Sequence, residues 1–151
     1  MARPVMQSNS SSDSSVDAAV LWPGGIATAV VAALVALLGV LAFRWLFDVP
    51  ILAPESAGAY GDADTTAYVL GTAGVALIAT ALLHLLLLTT PRPLVFFGWI
   101  IALATLVAVV FPFGTTSPLS QKFATATVNL FIGIAIGSLL TAVGARSVRS
   151  G

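Results

Sequence analysis

Residues 123–145 read FATATVNLFIGIAIGSLLTAVGA and contain no Asp, Glu, Lys or Arg. At 1.5 Å of rise per residue, a helix of this length crosses the roughly 30 Å hydrocarbon core of a bilayer. Three further apolar stretches lack these four residue types in the same way: 26–43, 65–91 and 94–111. The pattern predicts four membrane-spanning helices, at about 25–47, 66–89, 94–111 and 119–144.

Composition points to the same class of protein. Of the 151 residues, 58% are apolar and only 8% are charged, and the mean hydropathy is +1.04. A soluble domain carries about a quarter charged residues, so six acids and six bases cannot cover a water-exposed surface of this size. We therefore expect an all-α membrane protein, a four-transmembrane-helix bundle of two antiparallel hairpins, with the lipid bilayer as its main partner.

Three polar regions divide the chain around these helices. Residues 1–21 are rich in serine and bury too little apolar surface to fold, so we expect a disordered N-terminal tail. The transmembrane domain then covers 22–146, with Pro23-Gly24-Gly25 before the first helix and the main soluble loop at 48–64. Residues 147–151 form a short basic C-terminal tail. The first apolar run exceeds the usual length of a signal-peptide core and has no adjacent basic segment, which favours a retained helix.

The arginines and the lysine suggest an orientation in the membrane. Four spans place both termini on one side, and the bases on that side are Arg3, Arg92, Arg146 and Arg149. Arg44 and Lys122 fall on the other side, together with most of the acids. The positive-inside rule then predicts a multi-pass protein of the cell membrane with both termini in the cytoplasm.

The second helix carries a line of polar positions. Thr72, Thr80 and His84 lie at multiples of four residues and share one face, and His84 is the only ionisable side chain well inside a span. One interpretation is a proton-responsive or ligand-binding stripe inside the bundle. The interpretation that we favour is a neutral histidine that is hydrogen-bonded locally or reaches the membrane interface.

The fourth helix carries Asn129 and, after it, a ridge of small residues formed by Gly133, Gly137 and Thr141. Gly133 and Gly137 have the G-x-x-x-G spacing that lets a second helix approach closely. We expect this ridge to pack within the chain, against the second or first helix. Homodimerisation through the ridge is the alternative.

Several kinds of chemistry lack the residues they need. The chain has no cysteine and one histidine, and it has no nucleotide-binding, metalloprotease or nucleophile-elbow motif. We therefore predict no catalytic, cofactor or metal site and no enzyme activity. The net charge of zero gives no indication of a nucleic-acid partner.

The order of features resembles DUF6069, an actinobacterial family of membrane proteins of unknown function. The resemblance covers about residues 22–146 and rests on Phe47-Asp48-Val49-Pro50 after the first helix, the Ala/Gly-rich second helix, and the ATATVNL segment at 124–130. In that family the last helix often carries a histidine where this chain has Asn129. The resemblance implies a four-helix membrane bundle and assigns no activity.

Two functions from different classes remain open. The first, which we favour, is a structural or accessory membrane protein that packs against itself, as a homo-oligomer, or against a larger membrane complex. The second is a small transporter or channel-like protein acting through a polar bundle interior, for which Thr72, Thr80, His84, Asn129 and Thr141 are the candidate lining residues. Whether His84 and Asn129 face each other distinguishes the two.

Overall fold

The computed structural model describes residues 17–54, 60–62 and 64–149. Within these residues the four helices long and apolar enough to cross a membrane are α1 (Ala18–Phe47), α2 (Thr65–Thr89), α3 (Pro93–Val110) and α4 (Leu119–Arg149). A short 3₁₀ helix, Phe111–Gly114, extends α3. Two three-residue strands, β1 (Leu52–Pro54) and β2 (Tyr60–Asp62), pair antiparallel between α1 and α2. The four-helix membrane fold predicted from the sequence is confirmed.

The first helix begins earlier than predicted. It starts at Ala18 and not near residue 25, because the Asp17 carboxylate accepts a hydrogen bond from the Ala19 amide and caps the helix. Pro23 therefore lies inside α1, as membrane helices tolerate. The part of the predicted disordered tail from residue 18 to residue 21 is helical, and residues 1–16 lie outside the described part of the chain.

The last helix ends later than predicted. It continues to Arg149, so the predicted basic tail is helical over residues 147–149, and residues 150–151 lie outside the described part. The Ser147 hydroxyl donates to the Gly144 carbonyl, and the Ser147 carbonyl accepts from the Asp17 amide at 3.5 Å. Ser147 is buried against the start of α1. These contacts give the end of α4 a packing surface that its polar sequence did not indicate.

Close contacts at glycine residues determine which helices are neighbours in the bundle. Helix α1 packs against both α2 and α4, and α4 also packs against α3. A Cβ atom added at Gly25 would lie 2.6 Å from Thr80 Oγ1 on α2, and one at Gly39 would lie 2.8 Å from Val128 on α4. The backbones can approach this closely only because no side chain intervenes.

The bundle has two ends, and we call the one that holds the first and last described residues, Asp17 and Arg149, the terminal end and the other the distal end. The start of α1, the turn from α2 to α3 and the end of α4 meet at the terminal end, as the contacts of Gly144 with Leu83 and Leu94 show. The end of α1, the β1–β2 hairpin and the start of α4 meet at the distal end. There, fully buried Ile51 packs with Val40, Ala124 and Val128.

Candidate functional site

Asn129, at the distal end of the bundle, makes hydrogen bonds to two other helices. Its Oδ1 accepts a hydrogen bond from Tyr68 Oη at 2.7 Å, and its Nδ2 donates to the Ala108 carbonyl at 2.7 Å. One amide thereby links α2, α4 and α3. Because a backbone carbonyl can only accept, the amide nitrogen must face Ala108, and the oxygen is left for the tyrosine hydroxyl.

Two further hydrogen bonds join separate elements at this end. Arg44 Nη1 donates to Thr65 Oγ1 at 3.3 Å, from the last turn of α1 to the first turn of α2. The Leu52 amide donates to Thr125 Oγ1 at 2.9 Å, which fixes β1 to α4. Asp64 caps α2 by accepting a hydrogen bond from the Thr66 amide. The distal end is therefore closed by bonds between its own elements.

His84 lies at the opposite end of the bundle from Asn129. Its ring is half-buried and faces Trp22 with a centroid distance of 6.4 Å. Its Nδ1 atom is buried and has no hydrogen-bond partner among the described residues. Tyr68, the partner of Asn129, precedes His84 by sixteen residues on α2, or about 24 Å along the helix. His84 and Asn129 therefore do not form one site.

The threonines of the predicted stripe are buried but bonded locally. Thr80 Oγ1 donates to the Ala76 carbonyl and Thr72 Oγ1 to the Tyr68 carbonyl, each one turn earlier in α2. A hydroxyl hydrogen that is donated to the backbone of its own helix is not available for hydrogen bonds with other polar side chains. Thr141 on α4 donates to the Gly137 carbonyl in the same manner. The hydroxyl groups of Thr72, Thr80 and Thr141 are thus each bonded within their own helix.

The ridge on α4 packs within the chain, but against α3. A Cβ atom at Gly133 would lie 2.8 Å from Thr105 Cβ, and one at Gly137 would lie 3.0 Å from Ile101 Cγ2. The expectation that the ridge meets the first or second helix was therefore wrong. The rotation of α4 directs its other faces at those helices: Val128 contacts Gly39 on α1, and Gly144 contacts Leu83 on α2.

Two participants in these contacts were not identified from the sequence. Tyr68 extends the four-residue series of Thr72, Ala76, Thr80 and His84 back by one turn, so its position on the inner face was readable. Trp22 lies before the predicted start of the first helix, and its contact with His84 follows from the early start of α1.

A surface concavity of about 550 Å³ lies at the distal end, lined by the end of α3 and by the turn before α4: Val110, Phe111, Gly114, Thr115, Thr116 and Ser117. Among the described residues, those that line it all lie within 110–117, so it is a feature of the surface at this turn. Among the described residues there is no group of three or more His, Cys, Asp or Glu side chains that could hold a metal ion.

The histidine provides a first test of these contacts. Replacing His84 with phenylalanine keeps a ring against Trp22 and removes the unpartnered buried nitrogen, so we expect stability in detergent to be unchanged or higher by about 1 kcal/mol. Thermal unfolding of the purified full chain measures the effect. A loss of more than about 2 kcal/mol would show that His84 has a hydrogen-bonding role in the fold.

Comparison with known proteins leads to a family but not to an activity. The model of the family described as "Family of unknown function (DUF6069)" matches residues 16–146. No curated protein and no solved structure matches the chain. The match covers most of the chain, including all four membrane helices except the last turn of α4. The protein belongs to the DUF6069 family, whose members are grouped by sequence and have no assigned function.

Proposed function

We propose that this membrane protein is a structural or accessory component that associates with a second copy or with a larger membrane complex, and that it catalyses no reaction. The observation that carries the proposal is the separation of its intramembrane polar groups. Asn129 is bonded at the distal end, and His84 contacts Trp22 at the terminal end. Between them α2 offers buried alanines and threonine hydroxyls that are bonded to their own helix.

Transport through the bundle requires a continuous polar pathway, and the packing works against one. The side chains of Thr80 and Thr105 fill the space beside Gly25 and Gly133 on the facing helices. Ile51 from the loop region is fully buried over the distal end. A pathway through this interior requires the helices to separate, so the accessory function agrees better with the packing.

The outer face of α2 is the surface that we propose for association. Its residues follow one another at alternating spacings of four and three. Four of them are small, namely Ala67, Gly71, Gly74 and Ala81, and the larger Ile78 lies between the last two. A Cβ atom at Gly71 or Gly74 would meet no atom of the described residues within 4 Å, so no described part of the chain uses the close approach that these glycines allow. Small residues at such spacing let a second membrane helix pack closely.

Replacing Gly74 with leucine tests this surface. Because the added side chain enters open space, we expect thermal stability to be unchanged within about 0.5 kcal/mol while association in liposomes is lost. Single-molecule photobleaching of the full chain counts the copies in each complex. Gly98→Leu, at an equally open site on α3, is the matched control and should leave association intact. Unchanged association of the Gly74 variant contradicts the proposed surface.

We also propose that the terminal end faces the cytoplasm of a cell-membrane protein. The proposal is supported by the distribution of bases in the sequence, where Arg3, Arg92, Arg146 and Arg149 belong to the segments on the side of the termini and only Arg44 and Lys122 to the other side. The chain has no cysteine, so single cysteines at Thr90 and Thr116 can report on the two ends. In intact cells a membrane-impermeant maleimide should label only Thr116→Cys. Labelling of only Thr90→Cys would reverse the orientation.

A further inference from the structure

The end of α3 contains a backbone acceptor that its own helix cannot satisfy. In an α-helix each carbonyl accepts from the amide four residues later. Four residues after Ala108 comes Pro112, which has no N–H to donate. The neighbouring bond is intact, since the Phe111 amide donates to the Val107 carbonyl. The Ala108 carbonyl is therefore left without its helical partner near the end of an apolar helix.

Asn129 supplies a donor at this point. Its Nδ2 lies 2.7 Å from the Ala108 carbonyl oxygen, within hydrogen-bond range and at its short end. The same side chain is held from the other side by Tyr68 Oη. A lone carbonyl in a bilayer is costly, and freed backbone groups in membrane helices are satisfied by side chains of neighbouring helices. The bond to Ala108 thus has a specific cause in the sequence of α3.

We propose that Asn129 replaces the amide that Pro112 lacks, and that Tyr68, Asn129, Ala108 and Pro112 form a latch across three helices. Pro112 is buried and is the second residue of the 3₁₀ helix Phe111–Gly114 that follows α3. The latch lets the end of α3 lie against α4 without an unbonded carbonyl. Separating the distal ends of α2 and α3 requires at least one of the two bonds of Asn129 to break, and releasing α4 from both helices requires both.

A double-mutant cycle on the full chain in detergent tests this cause directly. Asn129→Leu removes both bonds, whereas Pro112→Ala restores an amide that can bond the Ala108 carbonyl within α3. Pro112→Ala should therefore change the free energy of unfolding more favourably in the Asn129→Leu protein than in the unaltered chain. The expected non-additivity is about threefold to tenfold in the unfolding equilibrium constant, measured by reversible denaturation.

Tyr68→Phe is the matched control, because it removes a bond to Asn129 but leaves the bond to Ala108 in place. Pro112→Ala should not rescue the Tyr68→Phe protein. The proposal would be overturned if Pro112→Ala changed the stability of the unaltered chain and of the Asn129→Leu protein by the same amount. It would also be overturned if Pro112→Ala rescued the Tyr68→Phe protein as well as the Asn129→Leu protein. If Asn129→Leu yields no folded protein, the readout is recovery of folded protein by Pro112→Ala, and failure to recover it also overturns the proposal.

Discussion

Replacing Gly133 with leucine should lower the free energy of unfolding by about 3 kcal/mol, as overpacking of a tight core contact does. The first carbon of the new side chain would already overlap the Thr105 side chain, whose Cβ lies 2.8 Å from the added position. Thr105 is β-branched and stiff at χ1, so it cannot turn away freely. Relief therefore requires α3 and α4 to move apart, which loses the contacts of Gly137 with Ile101 as well.

Reversible denaturation in detergent measures this loss, with Gly98→Leu as the control. Gly98 lies on α3 in open space, so leucine there gains helix propensity and meets no neighbouring atom. We expect the control to be neutral or slightly more stable. If Gly133→Leu matched the control, α3 and α4 would not be packed through this glycine.

Truncation of Ile51 to alanine is the second change with a large expected effect, a loss of about 2–4 kcal/mol. Ile51 comes just before β1, is fully buried, and contacts the ends of α1 and α4 through Val40, Ala124 and Val128. Alanine leaves a cavity between two helices and the hairpin, and the bond from the Leu52 amide to Thr125 prevents the backbone from collapsing into it. We therefore expect much of the cavity to remain.

Thermal unfolding and proteolysis of the β1–β2 region together locate this effect. The matched control is Trp45→Ala, because Trp45 is 79% exposed at the end of α1 and packs little against the bundle. The Ile51 variant should unfold at a lower temperature and be cleaved faster near the hairpin, while the Trp45 variant should behave as the unaltered chain in detergent. Equal behaviour of both variants would mean that the hairpin does not stabilise the bundle.

The number and class of the helices were predictable because uncharged runs of this length have few alternatives to a membrane. The ends of α1 and α4 were not, since they depend on contacts between distant parts of the chain. Asp17 caps a helix whose first turns pack beside Ser147, and that pairing has no local signal. Pro23-Gly24-Gly25 has the form of a boundary, yet Gly25 serves as a packing point against Thr80.

The polar positions were found more easily than their partners. Asn129 and His84 stand out in apolar helices, but which helix each side chain faces depends on the rotation of α2 and α4 in the bundle. The bond from Asn129 to Ala108 crosses between helices, and its cause lies in Pro112, which the sequence presents only as a helix terminator. The partner of Gly133 and Gly137 was missed for the same reason.

The most direct test of the accessory function is purification of the tagged full chain from its own membrane in mild detergent, followed by native mass spectrometry. We predict a stoichiometric assembly, either of copies of this chain or with a second membrane protein. Gly74→Leu should dissociate it. A lone monomer from the native membrane, together with solute flux in liposomes that depends on His84 and Asn129, would contradict the account and establish transport instead.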